Sequence, residues 1–124
     1  MKLRILGDSL RLRLTVSETE TLAIGERVAE CTHFPGGEEL RYSLCPGDGG
    51  VEARFSRLDD HYALNVTVPS TLLRVWSNSE ETTVGGESGL ASGPLRLMIE
   101  KDFDCVQPRA GEEHLDTFPN PKQC

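Results

Sequence analysis

The chain has 124 residues, 37% of them hydrophobic and 27% charged, and a net charge of −7. That length supports one domain burying about two-thirds of its unfolded surface, and the composition is that of a folded globule rather than a disordered chain. The acidic balance argues against a nucleic-acid partner, whose affinity comes from Lys and Arg displacing counterions, and no apolar run approaches the roughly 18 residues of a membrane span.

Alternation with the period of a strand dominates the chain. Leu10, Leu12 and Leu14 alternate with Arg11 and Arg13. Leu3 and Ile5 are on the opposite parity, so a continuous first strand needs a bulge or bend at Gly7-Asp8 to restore its face. Ser17 three residues before Glu20 reads as a capping box, and Gly25 as the stop of a short helix. Pro35-Gly36-Gly37 fits a hairpin between strands at about 27–34 and 39–45, the second carrying Leu40, Tyr42 and Leu44. Pro46 to Gly50 reads as a looser link to a strand with Val51, Ala53 and Phe55. Asp59-Asp60 closes another hairpin onto Tyr62, Leu64, Val66 and Val68. Ser70 then caps a second helix with Leu72, Leu73 and Trp76 at helical spacing and Asn78 as its stop. Gly85 to Pro94 reads as a long hairpin connection, followed by Leu95, Leu97 and Ile99 on one face of a last strand. Setting LTVSETETLAIGE against VTVPSTLLRVWSN hints at a β-α-β-β unit used twice, with a one-residue shift.

These patterns predict an α+β domain, mainly antiparallel sheet, barrel-like or in two layers, with two short helices. Its body spans residues 1–104, and residues 105–124 form an extended strap over the body or over a partner. The expected core is Leu10, Leu12, Leu14, Leu22, Leu40, Tyr42, Leu44, Phe55, Leu64, Val66, Val68, Leu72, Trp76, Leu95, Leu97 and Ile99. No export signal is visible, so the protein is expected in the cytoplasm, with Cys31, Cys45, Cys105 and Cys124 as thiols.

Three constellations carry chemistry. Cys31 and His33 sit two apart on a strand, on one face and roughly 6–7 Å apart, where they supply a thiolate and an imidazole to one metal ion. Cys105 and His114 offer a second thiol–imidazole pair, but Asp102 and Asp104 would raise the thiol pKa, the wrong direction for a nucleophile. Arg11, Arg13, Arg41, Arg54 and Arg96 fall on the non-core parity of their strands, and if those strands are neighbours they form a face for a small anion, with Arg11, Arg13, Arg41 and Arg54 as its expected ligands. The ordinary alternative is a solvated, salt-bridged face. Phe103 and Phe118-Pro119-Asn120-Pro121 bracket an acidic stretch with apolar or rigid anchors suited to docking. No catalytic motif or phosphate loop appears, which weighs against an enzyme.

The segments MKLRILGDSLRLRLTVSE, THFPGG and IEKDFDC with FPNP resemble a family of small, uncharacterised bacterial proteins of similar length. The resemblance covers nearly the whole chain and implies a bacterial, free-standing domain, with no activity or cofactor to transfer. It marks Lys101, Asp102, Phe103, Cys105 and Phe118 to Pro121; Cys31, Cys45 and Cys124 are not part of its pattern. The leading expectation is a non-enzymatic protein-interaction or accessory subunit of a bacterial assembly, binding a protein partner or itself, without a cofactor. The alternatives are a zinc- or other transition-metal- or thiol-dependent protein, and a carrier of small anions.

Overall fold

In the structure, a computed structural model, residues 1–86, 88–102 and 118 are described. Eight strands and two helices follow in the order β1 (Lys2–Leu6), β2 (Ser9–Leu14), α1 (Val16–Ala23), β3 (Val28–His33), β4 (Glu39–Gly47), β5 (Glu52–Arg57), β6 (Tyr62–Pro69), α2 (Ser70–Ser77), β7 (Leu90–Ser92) and β8 (Leu95–Lys101). They form two four-stranded sheets, β1-β2-β8-β7 and β3-β4-β6-β5. Each sheet is two antiparallel hairpins joined by one parallel pair, β2 with β8 and β4 with β6. The sheets do not close into a barrel.

The expected bend at Gly7-Asp8 is instead a reversal. β1 turns back onto β2 through these two residues, Gly7 taking a positive φ of 53° at the first central position, as a two-residue hairpin turn requires. Leu3 then lies opposite Leu12, and Ile5 opposite Leu10, so the change of parity is what a hairpin needs to keep one apolar face. The Gly85–Pro94 connection likewise contains a strand, β7, which pairs with β8 across Gly93-Pro94.

Both helices begin where a strand ends, but their caps are not the expected serines. Thr15 caps α1, accepting from the Glu18 amide while the Glu18 carboxylate accepts from the Thr15 amide. Ser17 therefore lies inside the helix. Its end follows the expectation: Gly25 has φ 89°, and the Gly25 and Glu26 amides donate to the Leu22 and Thr21 carbonyls, which satisfies two carbonyls left over at the helix terminus. For α2 the cap position is Pro69, and the Ser70 hydroxyl instead donates to the Gly47 carbonyl. Asn78 ends α2, its amide and side chain both donating to the Arg74 carbonyl.

One core joins both sheets and both helices, with Leu12, Leu14, Leu22, Leu44, Leu73, Trp76, Leu97 and Ile99 at its centre. Two expected members lie outside it. Leu72 is 40% exposed because Leu73 and Trp76, three apart, define the inward face of α2. Phe55 keeps the core parity, opposite Leu64, yet on the edge strand β5 it is 66% exposed and stacked on Tyr62. Leu40, Tyr42 and Leu95 pack at the margin, while Met1, Val28 and Val84 enter the core.

The chain is built from one unit used twice, and the unit is longer than the sequence hint. A ββαββ arrangement runs from β1 to β4 and again from β5 to β8. Each sheet takes the first hairpin of one unit and the second hairpin of the other. Leu22 and Trp76, both buried, lie at the same step from their caps Thr15 and Pro69, and so do Thr19 and Leu73. The two helices pack on each other between the halves.

Candidate functional site

Two outer sheet surfaces carry chemistry. On the first sheet, parity turns Lys2, Arg4, Arg11, Arg13 and Arg96 away from the leucine core. Lys2 is opposite Arg13 and Arg4 opposite Arg11, two like-charge pairs in a single hairpin. Glu100 on β8 is the one acid of these strands on this face: its carboxylate reaches Arg11 Nε at 3.2 Å and Arg13 Nε at 3.4 Å. Lys2 Nζ is 3.1 Å from Asp102, and Arg96 donates to the Ser88 carbonyl. Arg4 is exposed and has no acidic partner among the described residues.

The arginines expected on one face are divided between two. Arg11 and Arg13 belong to the first sheet; Arg41 and Arg54 belong to β4 and β5 of the second, paired with Glu39 and Glu52. Parity along a strand places a residue on a face but does not say which sheet the strand joins. The structure therefore does not bring them together: Arg96 stays with Arg11 and Arg13, and Lys2 and Arg4 join that set.

On the second sheet, Cys31 and His33 alternate onto the outer face of β3, an edge strand. The β3–β4 hairpin closes through Phe34 and Glu38, whose backbones hydrogen-bond at 2.9 Å, and this register places Glu39 opposite His33 and Arg41 opposite Cys31. Cys31 Sγ lies 3.9 Å from His33 Nε2 and 3.8 Å from Glu39 Oε2, and His33 Nε2 lies 3.3 Å from Glu39 Oε1. Arg41 donates to Glu39 Oε2 through Nη2 at 3.1 Å and Nε at 3.3 Å. Glu39 was not among the expected ligands. The signal for it is the hairpin register, which the Pro-Gly-Gly turn and the two flanking strands imply.

An open groove of about 500 Å3 runs over the same face, lined by Arg27, Cys31, Arg41, Ser43, His61 and Asn65 among others. Small side chains keep its floor low, and the Ser43 hydroxyl donates to Asn65 Oδ1 at 2.7 Å across β4 and β6. At one wall His61 Nδ1 pairs with Asp60 at 2.6 Å, and this hydrogen bond holds the Asp60 carboxyl below its usual pKa. Cys45, on the same parity, is half-buried, its thiol donating to the Pro46 carbonyl.

Of the C-terminal anchors only Phe118 is described; Phe103, Cys105, His114, Pro119, Asn120 and Pro121 lie outside the described residues. The Phe118 amide donates to the Asp102 carbonyl at 2.8 Å, and its ring lies 5.5 Å from Lys101 Nζ. Lys101 is buried, with Nζ 5.6 Å from the Trp76 ring and donating to the Ser79 carbonyl at 2.5 Å. Burial lowers its pKa, against the opposing charges of Glu81 and Glu80.

An α+β domain of two repeated ββαββ units, with a basic surface on one sheet and a thiol–imidazole–carboxylate cluster on the other, is the class that fold and surfaces define. Residues 1–122 match the model of DUF7009, a family of unknown function, and the chain belongs to that family. No curated protein and no solved structure matches it. Among the described residues, no helix is long and apolar enough to cross a membrane.

Proposed function

We propose that the protein is a non-enzymatic interaction domain, an accessory subunit of a cytoplasmic bacterial assembly, which docks an acidic protein segment on the outer face of its first sheet. One observation carries this reading: a chain of net charge −7 holds two like-charge pairs directly opposite each other in one hairpin. Like charges placed so are destabilising to the sheet. The equivalent hairpin of the second unit shows that the fold does not need them. There, Glu52 is opposite Thr67 and Arg54 opposite Asn65, with no repulsion. A row of carboxylates crossing the first sheet would add to the charge that Asp102 and Glu100 supply to Lys2 and Arg13, and would give Arg4 an acidic partner, which it lacks among the described residues. The small-anion reading is weaker, because its arginines are split between two sheets.

Fluorescence anisotropy of a labelled Glu- and Asp-rich peptide tests the reading. Binding is expected at low ionic strength and should weaken as salt screens it. Arg4→Ala with Arg13→Ala should weaken it, and Arg54→Ala on the second sheet should not. Equal losses from both surfaces, no binding at all, or tighter binding of duplex DNA of the same charge would overturn the proposal. Self-association through this face would appear as an Arg4-dependent dimer in sedimentation.

A further inference from the structure

Cys31, His33 and Glu39 hold three different donor atoms within 4.8 Å of one another. We propose that these three side chains form a binding site for one divalent transition metal of the zinc class, with its fourth position open. The site is on the second sheet and is independent of the docking face.

The geometry fits a tetrahedron before any ion is added. With bonds of about 2.3 Å to sulfur and about 2.0–2.1 Å to nitrogen and oxygen, a tetrahedral ion separates its ligands by about 3.3–3.6 Å. The observed separations are 3.3 Å for His33 Nε2 to Glu39 Oε1 and 3.9 Å for Cys31 Sγ to His33 Nε2, and Cys31 Sγ lies 3.8 Å from Oε2, the other oxygen of the same carboxylate. Closing the sulfur–imidazole edge takes a few tenths of an ångström, and the sulfur reaches the carboxylate by side-chain rotation on a local hairpin. No distant part of the fold has to move.

The donor set selects the kind of ion. Thiolate and imidazole suit zinc, cobalt and copper, whereas magnesium and calcium take oxygen ligands. A surface ion pair accounts for His33, Glu39 and Arg41 with the Cys31 thiol as a weak donor to Glu39 Oε2, whereas a metal ion uses thiol, imidazole and carboxylate together. Arg41 has a part in the metal reading too. Its two donors occupy Glu39 Oε2, which leaves Oε1, the oxygen beside His33 Nε2, to meet the ion. This is how an outer partner orients a ligating carboxylate. On binding, the Cys31 S–H bond breaks, a sulfur–metal bond forms, and the proton leaves to solvent. Cys31 and Arg41 also line the groove, so a water or a small anionic ligand has room at the fourth position.

The test is a titration of chelator-stripped full-length protein with Co2+ and then Zn2+. One equivalent of Co2+ should produce a thiolate-to-cobalt charge-transfer band and tetrahedral d–d bands, both bleached by one equivalent of Zn2+. Cys31→Ser should abolish the charge-transfer band, and Glu39→Gln should weaken affinity roughly tenfold or more. A Cys45→Ser, Cys105→Ser, Cys124→Ser variant should keep both bands. Absence of the bands in the unaltered protein, their survival in Cys31→Ser, or their loss in the triple variant would overturn the proposal. Circular dichroism checks the fold of each variant. If Cys31→Ser fails to fold, the triple variant decides on its own, because Cys31 is then the one remaining thiol.

Discussion

Arg4→Glu should stabilise the protein while destroying its proposed docking face. Arg4 is exposed and directly opposite Arg11, which Glu100 already holds at 3.2 Å. Opposed pairs on a sheet contribute roughly 0.2–1 kcal/mol, with the sign set by their charges. Exchanging a repulsion for an attraction therefore spans about 0.4–2 kcal/mol. The Arg11 side chain is 35% exposed and shares its charge with Glu100, so solvent screening puts the expectation in the lower half, about 0.5–1 kcal/mol. For a domain of this size that raises Tm by roughly 2–5 °C. Urea unfolding measures it, first at low ionic strength and then near 1 M salt, where the Debye length falls to about 3 Å and most of the gain should vanish. The matching control is Arg54→Glu, which breaks an ion pair with Glu52 and relieves nothing. A gain that persists in high salt would be a packing effect. No gain at low salt would mean that the like-charge pairs carry no cost, and the argument for a docking role would lose its basis.

Two further outcomes check the packing and the buried lysine. Leu73→Ala should cost about 2–5 kcal/mol in urea unfolding, because Leu73 is wholly buried, whereas Leu72→Ala on the outer side of α2 should cost under about 1 kcal/mol; equal costs would refute the assigned helix face. Lys101 is held below the ordinary 10.5 by burial, so between its lowered folded pKa and 10.5 the unfolded chain binds more protons and stability should rise with pH across that window. Lys101→Met should remove that rise, and parallel pH profiles of the two proteins would contradict the assignment.

Strands with unbroken alternation were legible from the sequence: β2, β4, β6 and β8 each show period two because one face is buried and the other wet. β1 was hidden because a two-residue turn and a bulge leave the same trace, a change of parity beside a glycine. β7 was hidden because three residues in a Gly- and Ser-rich stretch give alternation nothing to act on. Leu72 and Phe55 were placed in the core because both are large and lie on or beside an apolar period. Which of two adjacent leucines faces inward is decided by where α2 lies on the sheets, and whether a strand end is covered depends on the other sheet.

For the candidate sites the division is similar. Cys31 and His33 share a face by strand geometry alone, whereas Glu39 joins them only through the hairpin register. The arginine face was misassembled for a deeper reason. β2 pairs with β8 across most of the chain, and β4 with β6, so sheet membership is a long-range property that no local pattern encodes.

The repeated unit turns this into an argument about function. Equivalent positions in the two sheets share backbone pairing and core contacts, so a difference between them on the outer faces is not required by folding. Arg11 and Arg13 correspond to Asn65 and Thr67, Met98 to Ser43, and Glu100 to Cys45, counted from the matched caps and the parallel pairs. Inside, the same correspondence sets Leu10, Leu12 and Leu14 against Leu64, Val66 and Val68, apolar and buried in both halves. The inner positions are interchangeable because one core makes one demand of both. The outer positions differ in charge, size and nucleophilicity, and each set makes its own contacts across the strands, Arg11 and Arg13 with Glu100 in one sheet and Ser43 with Asn65 in the other. One face sets Lys2 opposite Arg13 and Arg4 opposite Arg11, and the other gathers a thiol, an imidazole and a carboxylate. Two like scaffolds with divergent surfaces fit the proposed reading, in which each sheet meets a different ligand.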